Sequence, residues 1–427
     1  MEPKQIESVD EINLSDMEFW GRPLEEREGA FKTLREERPL AFFEEPDLGS
    51  EWIERGPGYY AVTRHADILA ASKQPEIFSS GRGATSIPDM PPEMLEFFGS
   101  MINLDDPRHT RLRRIVAAGF TPRMLRQVED AVQASAEQIV ADVIERGSVD
   151  FVTEVAAKLP LKIICDMMGI PPSQYEAVFN HSNIILSNGD PEYVPGGDED
   201  PNKIVAAFLE SGMGLAQMVQ ELGEHRRTHP TDDLTSALVN ASVDGEQLTS
   251  QELGSFFILL VVAGNETTRN AISHGLEQLT LNPDQRAVWF ADFEKVAPTA
   301  VEEIVRWASP VIWMRRSATR DAELGGQKVK EGDKFLLFYN SGNRDDAVFA
   351  DPYRFDVTRQ PNPHVGFGGP GPHFCLGAHL ARREITVMFR ELFRRVPDIS
   401  MTAEPDRLRS SFINGIKHMP ASFSQVA

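Results

Sequence analysis

Cys375 lies near the end of the run Gly366-Phe367-Gly368-Gly369-Pro370-Gly371-Pro372-His373-Phe374-Cys375-Leu376-Gly377, just ahead of the helix formers Ala378-His379-Leu380-Ala381-Arg382-Arg383-Glu384. A helix start offers free backbone N–H groups and the positive end of a dipole, and both favour a thiolate over a thiol. Cys375 is thus placed to carry negative charge. The glycines let backbone approach something flat and large, and Pro370 and Pro372 stiffen the loop. One thiolate is one metal ligand, so the others must come from elsewhere, as a porphyrin supplies them. The plainer alternative is a buried cysteine beside an ordinary loop.

A second chemically active stretch is Ala263-Gly264-Asn265-Glu266-Thr267-Thr268. It interrupts a predicted helix from Ser250 to Thr280 whose first half, Phe256 to Val262, is apolar all round and must be buried. Thr249 and Glu252 form a capping box at its start, and Asn282-Pro283 ends it. A carboxylate and a hydroxyl in a core helix are costly unless they find partners or water. Thr267 can also bond back to a helix carbonyl and loosen the helix locally. Two smaller constellations accompany these. In Asp106-Pro107-Arg108-His109-Thr110-Arg111-Leu112-Arg113-Arg114, Asp106 reads as a helix cap with Pro107 at the first position, so His109 and Arg113 share one face. In a predicted helix from Thr299 to Trp307, Glu303 and Arg306 also share a face, a pair that is weak in isolation.

Together these residues resemble the cytochrome P450 superfamily, whose haem signature reads F-x-x-G-x-[RH]-x-C-x-G. Gly371, His373, Cys375 and Gly377 match in place, whereas Phe367 lies one residue further from the cysteine than usual. The resemblance implies haem b (iron protoporphyrin IX) ligated by Cys375, with His109, Arg113, Arg316 and His373 as further haem-binding residues. Arg315 is the alternative to Arg316. The stretch at Ala263 matches the motif [AG]-G-x-[DE]-T, which makes Glu266 a proton relay, by swinging or through water, and Thr267 its positioning hydroxyl. Glu303, Arg306 and the loop residue Arg354 match a buried charge triad that braces the haem loop. The implied reaction is insertion of one oxygen atom of dioxygen into a C–H bond, with peroxygenase and haem-thiolate sensor as alternatives.

The run Phe256 to Gly275 is similar to the actinobacterial branch that hydroxylates terminal methyl groups of methyl-branched lipids and steroid side chains. On that resemblance the substrate is expected to be a hydrophobic small molecule or lipid, a methyl-branched lipid or isoprenoid hydroxylated at its terminal carbon, with a steroid side chain or terpenoid as the alternative. Phe97, Phe98, Val262, Ala263, Ile312, Trp313 and Phe412 are candidates to line its pocket. Neither a flavin nor a nicotinamide motif is present, so a ferredoxin or flavodoxin with its NAD(P)H reductase is the expected electron source.

The resemblance implies that the elements positioning these residues are mainly α-helical with a small β-rich region, the cytochrome P450 fold, in a single domain over 1–427. Helices are expected around Glu25 to Glu37, Ala66 to Ser72, between Met124 and Gly169, and from Asn202 to His225. A short strand is expected at Tyr59 to Thr63, β-rich segments from Val311 to Tyr339, and a strand and turn from Ser410 to Ile416. Ser79 to Met101 reads as a loop beside a substrate entrance, and Asn188 to Pro201 as a polar loop with no core-forming content. The charge of −22 disfavours nucleic acid and anionic membranes. Two cysteines far apart, no signal-peptide order at Met1-Glu2-Pro3-Lys4-Gln5 and no apolar run long enough for a membrane span make a cytoplasmic protein the expectation.

Overall fold

The computed structural model describes residues 1–424 apart from 5, 7, 47–53, 121, 188, 198 and 241–244. The chain forms two units, each drawn from three separate stretches. One comprises Met1–Pro92, Leu281–Ala378 and Leu408–Gly415; the other comprises Glu93–Thr280, His379–Arg407 and Ile416–Ala427.

The first unit is built on a five-stranded sheet ordered Leu40–Phe43, Tyr59–Val62, Lys334–Phe338, Trp313–Ala318, Phe78–Ser79. Only the pairing of Tyr59–Val62 with Lys334–Phe338 is parallel. The period of two along a strand divides the central one between two cores. Leu336 and Phe338 face a cluster with Phe31 and Leu34 of the helix Leu24–Glu37, whereas Phe335 and Leu337 join Ile68 and Ala71 of the helix His65–Ser72. The two helices and the strand Tyr59–Val62 lie within a residue of their expected bounds, and Trp313–Ala318 and Lys334–Phe338 fall within the expected β-rich stretch, whereas the strands Leu40–Phe43 and Phe78–Ser79 were not expected.

The helix carrying Glu303 is longer than expected, Phe293–Ala308, and contains Pro298. Pro298 is the sixth residue, so it removes the one ladder bond that its N–H would have made to Glu294 O, but the helix runs on both sides of it and the proline does not mark the helix start.

The second unit is mainly helical, with a small sheet of Ser148–Asp150, Pro420–Ser422 and Ser400–Met401 and a two-stranded one of Asp406–Arg407 and Ile416–His418. Its longest element, Ser250–Leu281, has 32 residues, or roughly 48 Å at ~1.5 Å per residue. The capping box is made reciprocally: Thr249 N–H donates to Glu252 Oε2 at 2.8 Å, and Glu252 N–H donates to Thr249 Oγ1 at 3.1 Å. Phe256, Phe257, Ile258 and Val261 are buried against Leu112, Ile115, Leu215 and Leu238 of neighbouring helices.

Three expectations change. The stretch read as a loop from Ser79 to Met101 contains a helix, Pro92–Gly99, followed by a 3₁₀ turn at Ser100–Asn103. Pro92 sits at a helix start, where its fixed φ is favourable. Asp106 is not the cap of the next helix, Arg108–Gly119; the cap position is Pro107, and Asp106 Oδ1 instead accepts from Thr110 N–H at 3.1 Å.

The stretch from 188 to 201 is also less featureless than its composition suggests. Asn188 and Asp198 lie outside the described residues, but Asp190 and Val194 are buried. Lys417 Nζ lies 3.3 Å from Asp190 and 3.0 Å from Glu192, and His418 Nε2 lies 2.9 Å from Glu192. Residues more than two hundred positions away thus provide its anchors. Among the described residues no helix is long and apolar enough to cross a membrane.

Candidate active site

The loop that presents Cys375 is stitched to its surroundings within the first unit. On its approach, Asn362 Nδ2 donates to Glu303 Oε2 at 3.2 Å and His364 Nε2 lies 2.8 Å from Glu302 Oε2. A Cβ at Gly366 would fall 2.7 Å from Val305 Cγ1, so three successive points ride along one helix. Within the loop Gly368 N–H donates to Val365 O at 2.9 Å, and Cys375 N–H donates to Phe367 O at 3.0 Å. The extra residue between Phe367 and Cys375 therefore leaves the loop closed.

The glycines divide by role. A Cβ at Gly369 or Gly371 would lie 2.4 Å from Ser72, so those two serve contact with the helix His65–Ser72, not with a flat ligand. Gly371 also has φ +152. Around Gly377, among the described residues and leaving aside its chain neighbours, no heavy atom lies within 4 Å of an added Cβ.

The charge cluster beneath this loop differs from the expected triad. Glu303 and Arg306 are fully buried and paired as a fork, Arg306 Nε to Oε2 at 2.7 Å and Nη2 to Oε1 at 2.8 Å. The loop arginine on Glu303 is Arg359, with Nε at 3.1 Å from Oε2, and not Arg354. Arg354 is exposed and contributes only its backbone carbonyl, which accepts from Arg306 and Arg359. The turns through Asp351 to Asp356 direct carbonyls inward at that point, so the charge enters five residues later. Asp356 N–H adds another donor to Glu303 Oε1 at 2.9 Å.

Arg315 and Arg316 are adjacent on the strand Trp313–Ala318 and so face opposite ways. Arg315 donates to the carbonyls of Ser86, Ile87 and Pro88, to Ser317 and to Asp89 at 2.6 Å. Its fork is committed to fastening that segment. Arg316 is buried and donates to Arg315 O at 2.8 Å.

In the second unit, the long helix is buried almost all round except near Leu259, Leu260, Ala263, Gly264 and Thr267, where Ala263 is exposed. Thr267 Oγ1 donates to Ala263 O at 2.6 Å, the back-bond expected of it. A Cβ at Gly264 would sit 2.7 Å from Ile164 Cδ1, so this glycine permits a close helix crossing. Glu266 is 1% exposed and forms an ion pair with Arg269, while Asn270 Nδ2 donates to its Oε1 at 3.1 Å. Neither partner was singled out from the sequence, although spacings of three and four from Glu266 place them on its face.

Nearby, the fully buried Glu384 shares a hydrogen bond with Thr268, and burial pushes its carboxyl up to about 8. His109 is buried at the start of its helix, with Arg113 one turn on. Burial first, and the Arg113 charge second, hold its imidazole below the ordinary value.

Of the candidate pocket residues in this unit, Phe97 and Phe98 stack edge to face, and Phe98 lies 3.9 Å from Phe208 between ring centroids. Val262 is partly buried beside the same core. In the first unit Ile312 and Trp313 are core residues, with Trp313 and Phe412 at 4.9 Å.

The side chains around the thiol fit an apolar iron porphyrin. Cys375 is partly accessible, between the exposed apolar residues Phe374 and Leu376 and beside the bare Gly377. Cys165 does not fit, because it is fully buried and burial pushes its thiol up to about 12.

The chain belongs to the cytochrome P450 family, and it is a haem-dependent monooxygenase. The cytochrome P450 family model matches residues 295–407. The chain is 50% identical over 425 residues to the methyl-branched lipid omega-hydroxylase of Mycobacterium tuberculosis, covering 99% of this chain and 96% of that protein. It is 38% identical over 395 residues to the steroid C26-monooxygenase of Mycolicibacterium smegmatis, covering 92% and 89% of the two chains. A Mycobacterium marinum cytochrome P450 solved with pseudoionone superposes with a TM-score of 0.90 at 44% identity, covering 98% of this chain and 100% of that one.

Proposed function

We propose that this protein hydroxylates the terminal carbon of a methyl-branched lipid, using haem b held by the Cys375 thiolate. The observation that carries the substrate class is the 50% identity to a methyl-branched lipid omega-hydroxylase along 99% of the chain. The whole chain is taken as one catalytic domain, since neither unit is a contiguous segment.

When bound, haem supplies the activated oxygen that enters the C–H bond. The chain's own residues manage charge and protons. Cys375 keeps its thiolate through the backbone N–H groups and dipole of the helix Ala378–Arg395 that follows it. His109, Arg113 and Arg316 serve the haem propionates as N–H donors, with His373 at the basic position of the signature. Arg316 is preferred to Arg315 because the Arg315 fork is already occupied. Thr267 donates its hydroxyl proton to Ala263 O, so its lone pairs remain to accept a hydrogen bond and hold a water. Glu266 passes protons to that position. Electrons come from a ferredoxin or flavodoxin and its NAD(P)H reductase.

A terminal C–H bond is stronger than its internal neighbours, so terminal attack requires a pocket that admits only a chain end. The aromatic groups Phe97 with Phe98, and Trp313 with Phe412, are proposed to restrict access in this way. A steroid side chain is the second reading, supported by the similarity to steroid C26-monooxygenase. The test is reconstitution with electron donors and a methyl-branched fatty acid that shifts the haem spectrum, with products resolved by mass spectrometry. The ω-alcohol is the expected main product; oxidation chiefly at internal carbons would overturn the assignment.

A further inference from the structure

Two side chains one turn on along the long helix hold the acid from the same face. Arg269 Nη2 donates to Glu266 Oε1 one turn on, and Asn270 Nδ2 donates to the same oxygen at 3.1 Å. Both donors are themselves held. Arg269 Nη1 donates to Asn183 Oδ1 at 2.9 Å on the helix Tyr175–Leu186, and its guanidinium lies 5.8 Å from the centroid of the Phe179 ring. The Asn270 Oδ1 accepts from Ile416 N–H at 3.0 Å, which fixes which way its amide points. Glu266 Oε2 is buried and has no hydrogen-bond partner among the described residues.

The two oxygens of this carboxylate are therefore not equivalent. Swinging Glu266 to carry a proton outward would break a buried ion pair and leave the Arg269 guanidinium uncompensated, a strongly unfavourable step. A water reaching Oε2 would break none of the contacts that hold the carboxylate. We propose that Arg269 and Asn270 are positioning residues that immobilise Glu266 through Oε1, so that protons pass by water at Oε2 and not by rotation of the side chain. In each passage a water carrying an extra proton gives it to Oε2 and becomes neutral, and Oε2 passes that proton to the next water as that water hands one of its own onward, which regenerates the carboxylate and leaves both waters neutral. The proposal rests on the reading of Glu266 as the proton relay.

The experiment uses the haem-loaded, full-length protein with its electron donors and the branched fatty acid. Glu266→Gln, Arg269→Gln, Arg269→Lys and Asn270→Ala are compared by product formed per NAD(P)H consumed, by substrate Kd from the haem spectral shift, and by thermal midpoint. With the double variant Glu266→Gln/Arg269→Gln, the midpoints form a cycle that reports the ion pair without reference to turnover.

The expected result is that Arg269→Gln lowers product per NAD(P)H by about tenfold, with substrate Kd unchanged, that Arg269→Lys restores part of the loss, and that the cycle is non-additive. Asn270→Ala should give a smaller loss of the same kind, and it decides the matter if Arg269→Gln cannot be isolated. If both variants lower the midpoint yet keep product per NAD(P)H at the wild-type level, the residues are merely structural and the proposal is overturned. Full coupling in Glu266→Gln would instead remove the underlying relay, and the proposal with it.

Discussion

Removing the Glu303 carboxylate should release the segment that leads to Cys375. This side chain is fully buried and accepts from Arg306 by two nitrogens, from Arg359, from Asp356 N–H and from Asn362. In Glu303→Ala the Arg306 charge keeps, among the described residues, the carbonyls of Asn343, Pro352 and Arg354 and the rings of Trp307 and Phe349, but no anion. Breaking a buried pair from one side costs about 3–5 kcal/mol, a large part of the roughly 5–15 kcal/mol that holds a typical domain together. Glu303→Gln keeps the shape but loses the charge, so a loss of about 2 kcal/mol is expected. Arg359→Ala, at a site 9% exposed, should fall between that value and an ordinary surface change.

Arg354→Ala should lie within about 0.5 kcal/mol of wild type, because its side chain is exposed and its carbonyl survives the substitution. The assay is urea unfolding of the purified proteins together with haem content, read as Soret absorbance over protein absorbance. Glu303→Ala is expected to be largely haem-free or insoluble. Normal haem content in Glu303→Ala, or equal damage from Arg354→Ala and Arg359→Ala, would refute the account of how the loop is braced.

Cys375→Ser should abolish the red-shifted absorption of the ferrous carbon monoxide complex, since that shift reports thiolate ligation; a retained shift would place the ligand elsewhere. Thr267→Ala should keep consuming NAD(P)H while releasing more hydrogen peroxide, measured by peroxide assay against product, and unchanged coupling would count against its role. For Glu384 the folded-state value is raised from 4.5 to about 8 by burial. Its contribution to stability is therefore complete below the unfolded value and is lost as pH rises towards 8. Glu384→Gln should match wild type in urea near pH 4.5 and gain on it by up to about 1.4 kcal/mol per pH unit above that, and parallel pH profiles would show that the buried carboxyl does not titrate.

Local chemistry was readable wherever it was carried by residues close together in the chain. The capping box at Thr249 and Glu252, the back-bond of Thr267, the fork of Glu303 and Arg306, and the helices of both units follow from spacings of three and four, which a helix converts directly into contact. The same spacing also contains the Glu266–Arg269–Asn270 arrangement.

Tertiary structure decided what no spacing encodes. Arg359 and not Arg354 reaches Glu303, because loop turns determine which groups point inward. Arg315 and not Arg316 is taken up by residues 86–89, more than two hundred positions away, although the alternation of a strand says only that the two face apart. The polar stretch from 188 to 201 is anchored by Lys417 and His418, and Gly369 and Gly371 are bare because of Ser72. In each case the deciding partner is distant along the chain, and chain closure, not sequence proximity, brings it within the few ångströms over which a hydrogen bond or a van der Waals contact acts.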